Sequence, residues 1–248
     1  MTGDNAFSMR PVADSALLVE FDNEISAVTH QKVLALGQAL ARRRIAGIRE
    51  VVTGYRALLV QYDPLVLEYE ALCSTITPLA GEDTLSSPVG RHWQLPVHYG
   101  GPSAYDLKRI STRSGLSESE IISIHSQSEY RVYMVGFAPG WTFLGGLDPR
   151  LFTPRLETPR MEVPAGCVSI GGQQTLVGGP AMPSGWNLIG QTPERTFSLL
   201  RDNAFLLAAG DRVSFRPIEQ QEFDELSRFA ADGELVSRDL GPAGEKNA

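Results

Sequence analysis

The chain has 248 residues, 42% apolar and 21% charged, with a net charge of −7 at pH 7; that is enough for one large or two modest globular domains with their own cores. No apolar run reaches the roughly 18 residues of a membrane helix, and MTGDNAFSMR carries no basic-then-apolar signal, so the expected compartment is the cytoplasm, with no membrane attachment. Cys73 and Cys167 lie far apart and form no metal-ligand spacing, which predicts two buried thiols rather than a disulfide or a metal site.

In chain order, Met9 to Phe21 reads as a strand closed by the Asp22-Asn23 turn. Ser26 caps a helix to about Arg44, with Val33, Leu36 and Leu40 on one face and Arg42, Arg43 and Arg44 as a solvated, dipole-matched end. Ile48 to Thr53 and Arg56 to Tyr62 form a hairpin around Gly54-Tyr55, and Val66 to Thr77 is a second helix. Strand, helix, strand, strand, helix is a small α+β unit of ferredoxin-like outline over residues 1–78. Residues 79–90, rich in Pro, Gly, Ser and acids, read as a linker.

Arg91 to Tyr99 starts a second domain with a strand whose His92 and His98 stand roughly 20 Å apart along an extended chain, too far to share a metal. Ala104 to Ser114 and Glu118 to Ser126 are helices, the second opened by Ser117 with Glu120 as half of a capping box. His125 ends that helix, a position that suits a dipole-stabilised structural residue as well as a catalytic one.

Tyr130 to Val135 is a buried strand ending at Gly136. Regular periodicity then stops. Prolines 149, 154, 159 and 164 recur every five residues, so an extended, ordered arm is predicted rather than a helix or a central strand. Arg150, Arg155 and Arg160 each follow a proline, and their odd spacing prevents all three from facing one ligand. Residues 131–201 hold 4 acids and 6 bases, against 15 and 11 before and 10 and 5 after, giving charges of −4, +2 and −5 in chain order. A weakly cationic middle suits a small anionic ligand and is inadequate for nucleic acid.

Phe205 to Ala208 and Arg212 to Arg216 read as closing strands around Gly210-Asp211. Glu219 to Ala231 reads as a helix with Phe223, Leu226 and Phe229 inward, and the last fifteen or so residues as a frayed tail. No P-loop, G-x-G-x-x-G, H-E-x-x-H, C-x-x-C or G-x-S-x-G motif occurs, nor a biotin attachment site. The remaining candidate is a groove: Gly171-Gly172 and Gly178-Gly179 flank Gln174 and Thr175, and Arg155 or Arg160 can meet a carboxylate or phosphate bidentately.

GFAPGWTFLGGLDPRL, the paired TPR of FTPRLETPR, VPAGCVSIGG and SGWNLIGQTP closely resemble the signature of the family formed by the B component of 5-oxoprolinase. That family includes the KipI-type histidine-kinase inhibitor and allophanate hydrolase subunit 1, and its fold recurs in the carboxyltransferase domain of urea carboxylase. The resemblance implies a cyclophilin-like β-barrel over residues 91–218, followed by a C-terminal helix and tail at 219–248. It raises His125 to a site residue, with Arg155 and Arg160 as catalytic cations. Phe137, Pro139, Gly140, Gln174, Thr175, Trp186 and Asn187 are then the ligand-binding set.

The activity it implies is ATP-dependent opening of 5-oxo-L-proline to L-glutamate. This chain would be a non-autonomous partner of a carboxyltransferase-like second subunit and a lactam-handling subunit, with ATP and magnesium used at the level of the complex. The carboxyltransferase half of a urea or allophanate-pathway amide carboxylase and a KipI-like kinase inhibitor are the alternatives. Three departures from the family pattern, Cys167 after Pro-Ala-Gly, Thr175 to Pro180, and Pro183 to Trp186, are expected on the ligand face.

Overall fold

The computed structural model describes residues 7–23, 26–81 and 90–242. The chain forms two compact units, Met1–Pro88 and Val89–Ala248. Most of the expected 79–90 linker lies outside the described residues. The architecture is mixed α+β, dominated by sheet.

In the first unit, the single strand expected from Met9 to Phe21 is a hairpin of β1 (Ser8–Val12) and β2 (Ala16–Glu20), which turns at Ala13 with φ of 50°. A four-stranded antiparallel sheet follows in the order β1-β2-β4-β3, with β3 at Ile48–Thr53 and β4 at Ala57–Tyr62. Its buried face alternates as a half-covered sheet must: Leu17 and Val19 on β2 meet Leu58, Val60 and Tyr62 on β4.

Helix α1 (Ala27–Arg43) covers them with Val33, Leu36 and Leu40, and Ser26 Oγ caps it by accepting from the Thr29 amide at 3.1 Å. Helix α2 (Tyr69–Ala80) starts three residues later than the apolar pattern suggests. The Asp63 side chain accepts from the Leu65 amide and its carbonyl accepts from Val66 and Leu67, holding that segment in a turn.

The second unit holds an eight-stranded sheet in the order β12-β9-β10-β7-β6-β13-β5-β14 and a separate β11-β8 pair. Its strands are β5 (Arg91–Val97), β6 (Tyr130–Val135), β7 (Thr142–Gly145), β8 (Arg160–Val163), β9 (Cys167–Gly171), β10 (Gln174–Val177), β11 (Met182–Ser184), β12 (Asn187–Gln191), β13 (Arg212–Pro217) and β14 (Arg238–Pro242). Every residue of β9 is buried because core lies on both of its faces. Alternation sends Leu176 and Leu188 to a cluster with Trp141 and Trp186, and Val177 and Ile189 to the larger cluster with Leu95, Val132 and Phe215. Helices α3 (Leu107–Ser114) and α4 (Glu118–Gln127) add Ile110 and Ile121 to that larger core, α4 through the complete Ser117–Glu120 capping box.

The expected barrel is not closed by continuous ladders. The outer edge of β5 pairs with β14 near Arg91 to Gln94, and among the described residues only the backbone of His98 ladders across to Gln191, in a single two-hydrogen-bond bridge. Three further expectations are corrected. Phe205 to Ala208 is irregular and touches Phe197 only at one bridge, because its backbone is drawn to Thr196 and Ala204 bonds to Ser198. On α5 (Gln220–Ala231), Phe229 is 51% exposed, and Ala230 is the buried residue. The tail is ordered as β14 through Pro242, since β5 offers it unpaired backbone groups and Arg91 ion-pairs with Asp239. Both cysteines are free thiols.

Replacing the fully buried Leu58 with Ala should destabilise the first unit by about 2–5 kcal/mol, read as an earlier denaturant midpoint in equilibrium unfolding.

Candidate functional site

Three glycine-containing turns, distant in sequence, are brought together by backbone contact. A Cβ on Gly179 would lie 2.2 Å from the Pro139 carbonyl oxygen, one on Gly166 2.4 Å from that of Thr192, and one on Gly140 2.5 Å from Thr196 Oγ1. No side chain fits in any of these gaps. The Ala-Pro-Gly, Pro-Ala-Gly and Gly-Gly-Pro runs therefore converge on the strap of residues 191–197. The strap itself is fixed by paired bonds between Gln191 and His98, a bond from the Thr192 amide to Gly166, and one from the Leu206 amide to Thr196.

Beside this junction lies a cavity of about 420 Å³, within the range of small-molecule sites. Gly166, Gly179 and Pro180 form one side, the strap another, and Phe223 and Ser227 of α5 a third. Arg195 lines it as an exposed residue. Glu194 lines it too, but its side chain is fully buried: Oε2 accepts from the Val236 and Ser237 amides at 2.9 and 2.7 Å, and Oε1 faces Arg201 at 3.3 Å. Thr196 Oγ1 is buried without a hydrogen-bond partner.

None of the side chains expected as catalytic or ligand-binding residues lines this cavity, although Gly179 of the expected glycine-flanked groove does. Gly140, and Pro139 through its carbonyl, pack directly behind the lining; Phe137, at φ of 74°, stands 66% exposed on the same loop and edge-on to Trp141.

The proline-arginine arm lies elsewhere, clamped by reciprocal bonds between Thr153 and Gly172, from Asn187 Nδ2 to the Pro154 carbonyl, and from the Leu156 amide to Gly185. Arg160 binds Asp106 at 2.8 Å, Asp106 also accepting from the Leu188 amide, so this cation is a tie between α3, β8 and β12. Arg155 lies 5.1 Å over the Trp186 indole, and Arg150 is held by Asp148. Trp186 and Asn187 are buried supports beneath the arm, and Gln174 is half-buried at the start of β10.

His125 has no exposed surface. Its Nδ1 meets Tyr99 Oη at 2.8 Å, its Nε2 meets Thr175 Oγ1 at 2.9 Å, and its ring stacks on Phe215. Burial pushes its pKa down to about 3, so it stays neutral, and Thr175 is its partner in the core. Both are placed as core residues with no face toward a ligand. Of the family departures, Gly179 and Pro180 do line the cavity. Cys167 does not: its thiol turns into the Trp141 cluster, where burial raises its pKa to about 12 and keeps it protonated. Ser184 is likewise buried, accepting from the Trp186 amide.

The residues missed from sequence are Arg195, Thr196, Phe197, Phe223 and Ser227. One signal was present: Glu194, an acid in the weakly cationic stretch, directly after the Gly-Gln-Thr-Pro run.

The carboxyltransferase domain, subdomain C and D, family matches residues 7–207. The B component of 5-oxoprolinase from Escherichia coli O157:H7 is 40% identical over 136 residues, which is 55% of this chain and 62% of that protein. The protein of the same name from Bacillus subtilis (strain 168) is 41% identical over 130 residues, 52% of this chain and 54% of its own length. The matched region thus spans little more than half the length of these two relatives. Among solved structures, the K. lactis urea amidolyase superposes with a TM-score of 0.80 over 96% of this chain and 16% of its own; at 18% identity this likeness concerns the fold.

Gly166→Ala, which places a Cβ against the Thr192 carbonyl at φ of 69°, should cost about 1–3 kcal/mol and loosen the strap, seen as faster hydrogen exchange of the Thr192 and Leu206 amides. His125 supplies a pH test. Its folded pKa near 3 lies below the unfolded value of about 6.5, so below pH 6.5 the unfolded chain takes up a proton that the native chain refuses. Unfolding free energy should therefore be undiminished above that pH and fall progressively toward pH 3. His125→Phe should flatten this dependence while lowering stability at pH 8, both measurable by denaturant titration.

Proposed function

Because the chain belongs to the family of carboxyltransferase domains, subdomains C and D, we propose that it is a subunit of an ATP-dependent 5-oxoprolinase, opening 5-oxo-L-proline to L-glutamate. The curated relatives, each named as the B component of 5-oxoprolinase, support this reading. The single structural observation that carries it is the convergence of the Ala-Pro-Gly, Pro-Ala-Gly and Gly-Gly-Pro turns beside one cavity of ligand size. Within this proposal the first unit is ferredoxin-like and the second a cyclophilin-like barrel whose ladders stop short of closure.

The chemistry explains why a subunit of this kind needs partners. An unstrained lactam is a poor electrophile, and phosphoryl transfer from ATP to its carbonyl oxygen makes the carbon open to water. That step requires a site for the triphosphate. In this proposal magnesium and ATP act at the level of the complex, where one or two carboxylates together with the phosphates are enough to hold the ion.

This chain's part is to hold and orient a small anionic ligand, which lowers the entropic barrier to the step carried out by the assembly. The partners proposed are a carboxyltransferase-like second subunit and a lactam-handling subunit. The urea-directed alternative rests on the likeness to the urea amidolyase, which speaks for fold alone.

The isolated chain should turn over neither ATP nor 5-oxo-L-proline. Reconstituted with the other subunits, it should complete a complex whose ATP hydrolysis, followed as phosphate release, rises on adding 5-oxo-L-proline. An assembled complex whose ATPase ignores that compound removes the reading.

A further inference from the structure

Of the arginines in the cationic middle of the chain, most are already engaged. Arg150 is chelated by Asp148 through Nε at 2.9 Å and a terminal nitrogen at 2.7 Å. Arg160 is tied to Asp106 and to the Trp186 carbonyl. Arg155 rests on an indole outside the cavity. Arg201, whose side chain is only 10% exposed, pairs with Glu194 and donates to the Arg195 carbonyl.

Arg195 differs from all of these. It lines the cavity, is exposed, and its guanidinium makes no hydrogen bond or ion pair among the described residues.

Its neighbour does not neutralise it. Glu194 is the one acid in the lining, and its carboxylate is held by two amides and Arg201, so its charge is matched inside the protein. Among the described lining residues, the charge left unmatched is the positive one of Arg195. The backbone carrying that charge is held on both sides, by the Glu194 amide donating to Thr192 Oγ1 and by the Leu206 amide bonding to Thr196. A cation presented from a fixed backbone loses less freedom on binding.

The surrounding wall narrows the ligand class. Pro180, Pro193, Phe197 and Phe223 are apolar, Thr192, Thr196 and Ser227 add hydroxyls, and the Gln191 amide is engaged with Ser103 and the Ala165 carbonyl. Such a wall accepts a compact apolar body and penalises a second unpaired charge, while a guanidinium offers parallel N–H donors that fit one carboxylate. We propose that Arg195 is the specificity-determining residue of this cavity and that the ligand it selects is a compact monocarboxylic acid with a largely apolar body. The proposal rests on the reading of the cavity as the ligand site and adds its ligand class and the residue that enforces it.

The test is calorimetric titration of the full chain with matched pairs: 5-oxo-L-proline against 5-oxo-L-prolinamide, and cyclopentanecarboxylate against cyclopentanecarboxamide. At least one acid should bind about tenfold or more tightly than its amide. Arg195→Gln should erase that preference by weakening the acid about tenfold or more while leaving the amide unchanged. Arg195→Lys should retain part of it, and Arg150→Gln, a control of equal charge change, should match the wild type.

Equal affinity for acid and amide in the wild type, unchanged acid binding in Arg195→Gln, or no binding of either acid would each overturn the inference. Arg195-dependent binding of cyclopentanecarboxylate alongside indifference to 5-oxo-L-proline would uphold it while counting against the 5-oxoprolinase reading.

Discussion

Direct contact between backbones, at places where a Cβ would intrude, is the constraint on which the second unit depends. At Gly179 and Gly166 the main chain of one loop lies against a carbonyl of another at a separation no other residue allows. Close packing of this kind fixes distances more firmly than side-chain contact, because no rotamer can change to relieve a shift. The strap of residues 191–197 inherits that rigidity, and with it the position of every group it shows to the cavity.

Polar groups buried nearby reinforce the arrangement by leaving it few alternatives. Glu194 would be costly to bury alone, and the native fold supplies Arg201 and two amides of the segment after α5. In doing so it ties the strap to a part of the chain more than forty residues later in sequence. His125 plays a comparable role deeper in the core. Its two ring nitrogens are matched to Tyr99 and Thr175, joining α4 to β10 and to the segment just beyond β5. A histidine so enclosed is a fold-specifying residue, and the same desolvation that holds it neutral makes the fold sensitive to acid.

Much of this architecture was legible in local pattern. Alternation announced β4, Ser26 and Ser117 announced the starts of α1 and α4, and the proline spacing announced an irregular arm after β7. The failures have a common cause. Residues 9–21 read as one strand because apolar alternation does not reveal a reversal at Ala13, a residue with no turn preference. The tail read as frayed because its polar composition says nothing of the free edge of β5 that it covers. At the site, the arm drew attention as a run of cations, yet Arg160 is matched by an aspartate 54 residues away and Arg150 by one two residues away.

By itself, then, the sequence determined that two α+β units are joined through a stretch poor in core residues, that the second contains an ordered, irregular central region, and which family's signature that region carries. These follow from periodicity, turn chemistry and motif order, all properties of neighbours along the chain. Only the tertiary structure decided that three glycine turns share one junction, that His125 belongs to the core, and that the unmatched cation beside the cavity is Arg195. Whether a charge is free depends on what folding places against it, and those partners lie at separations that no local spacing encodes.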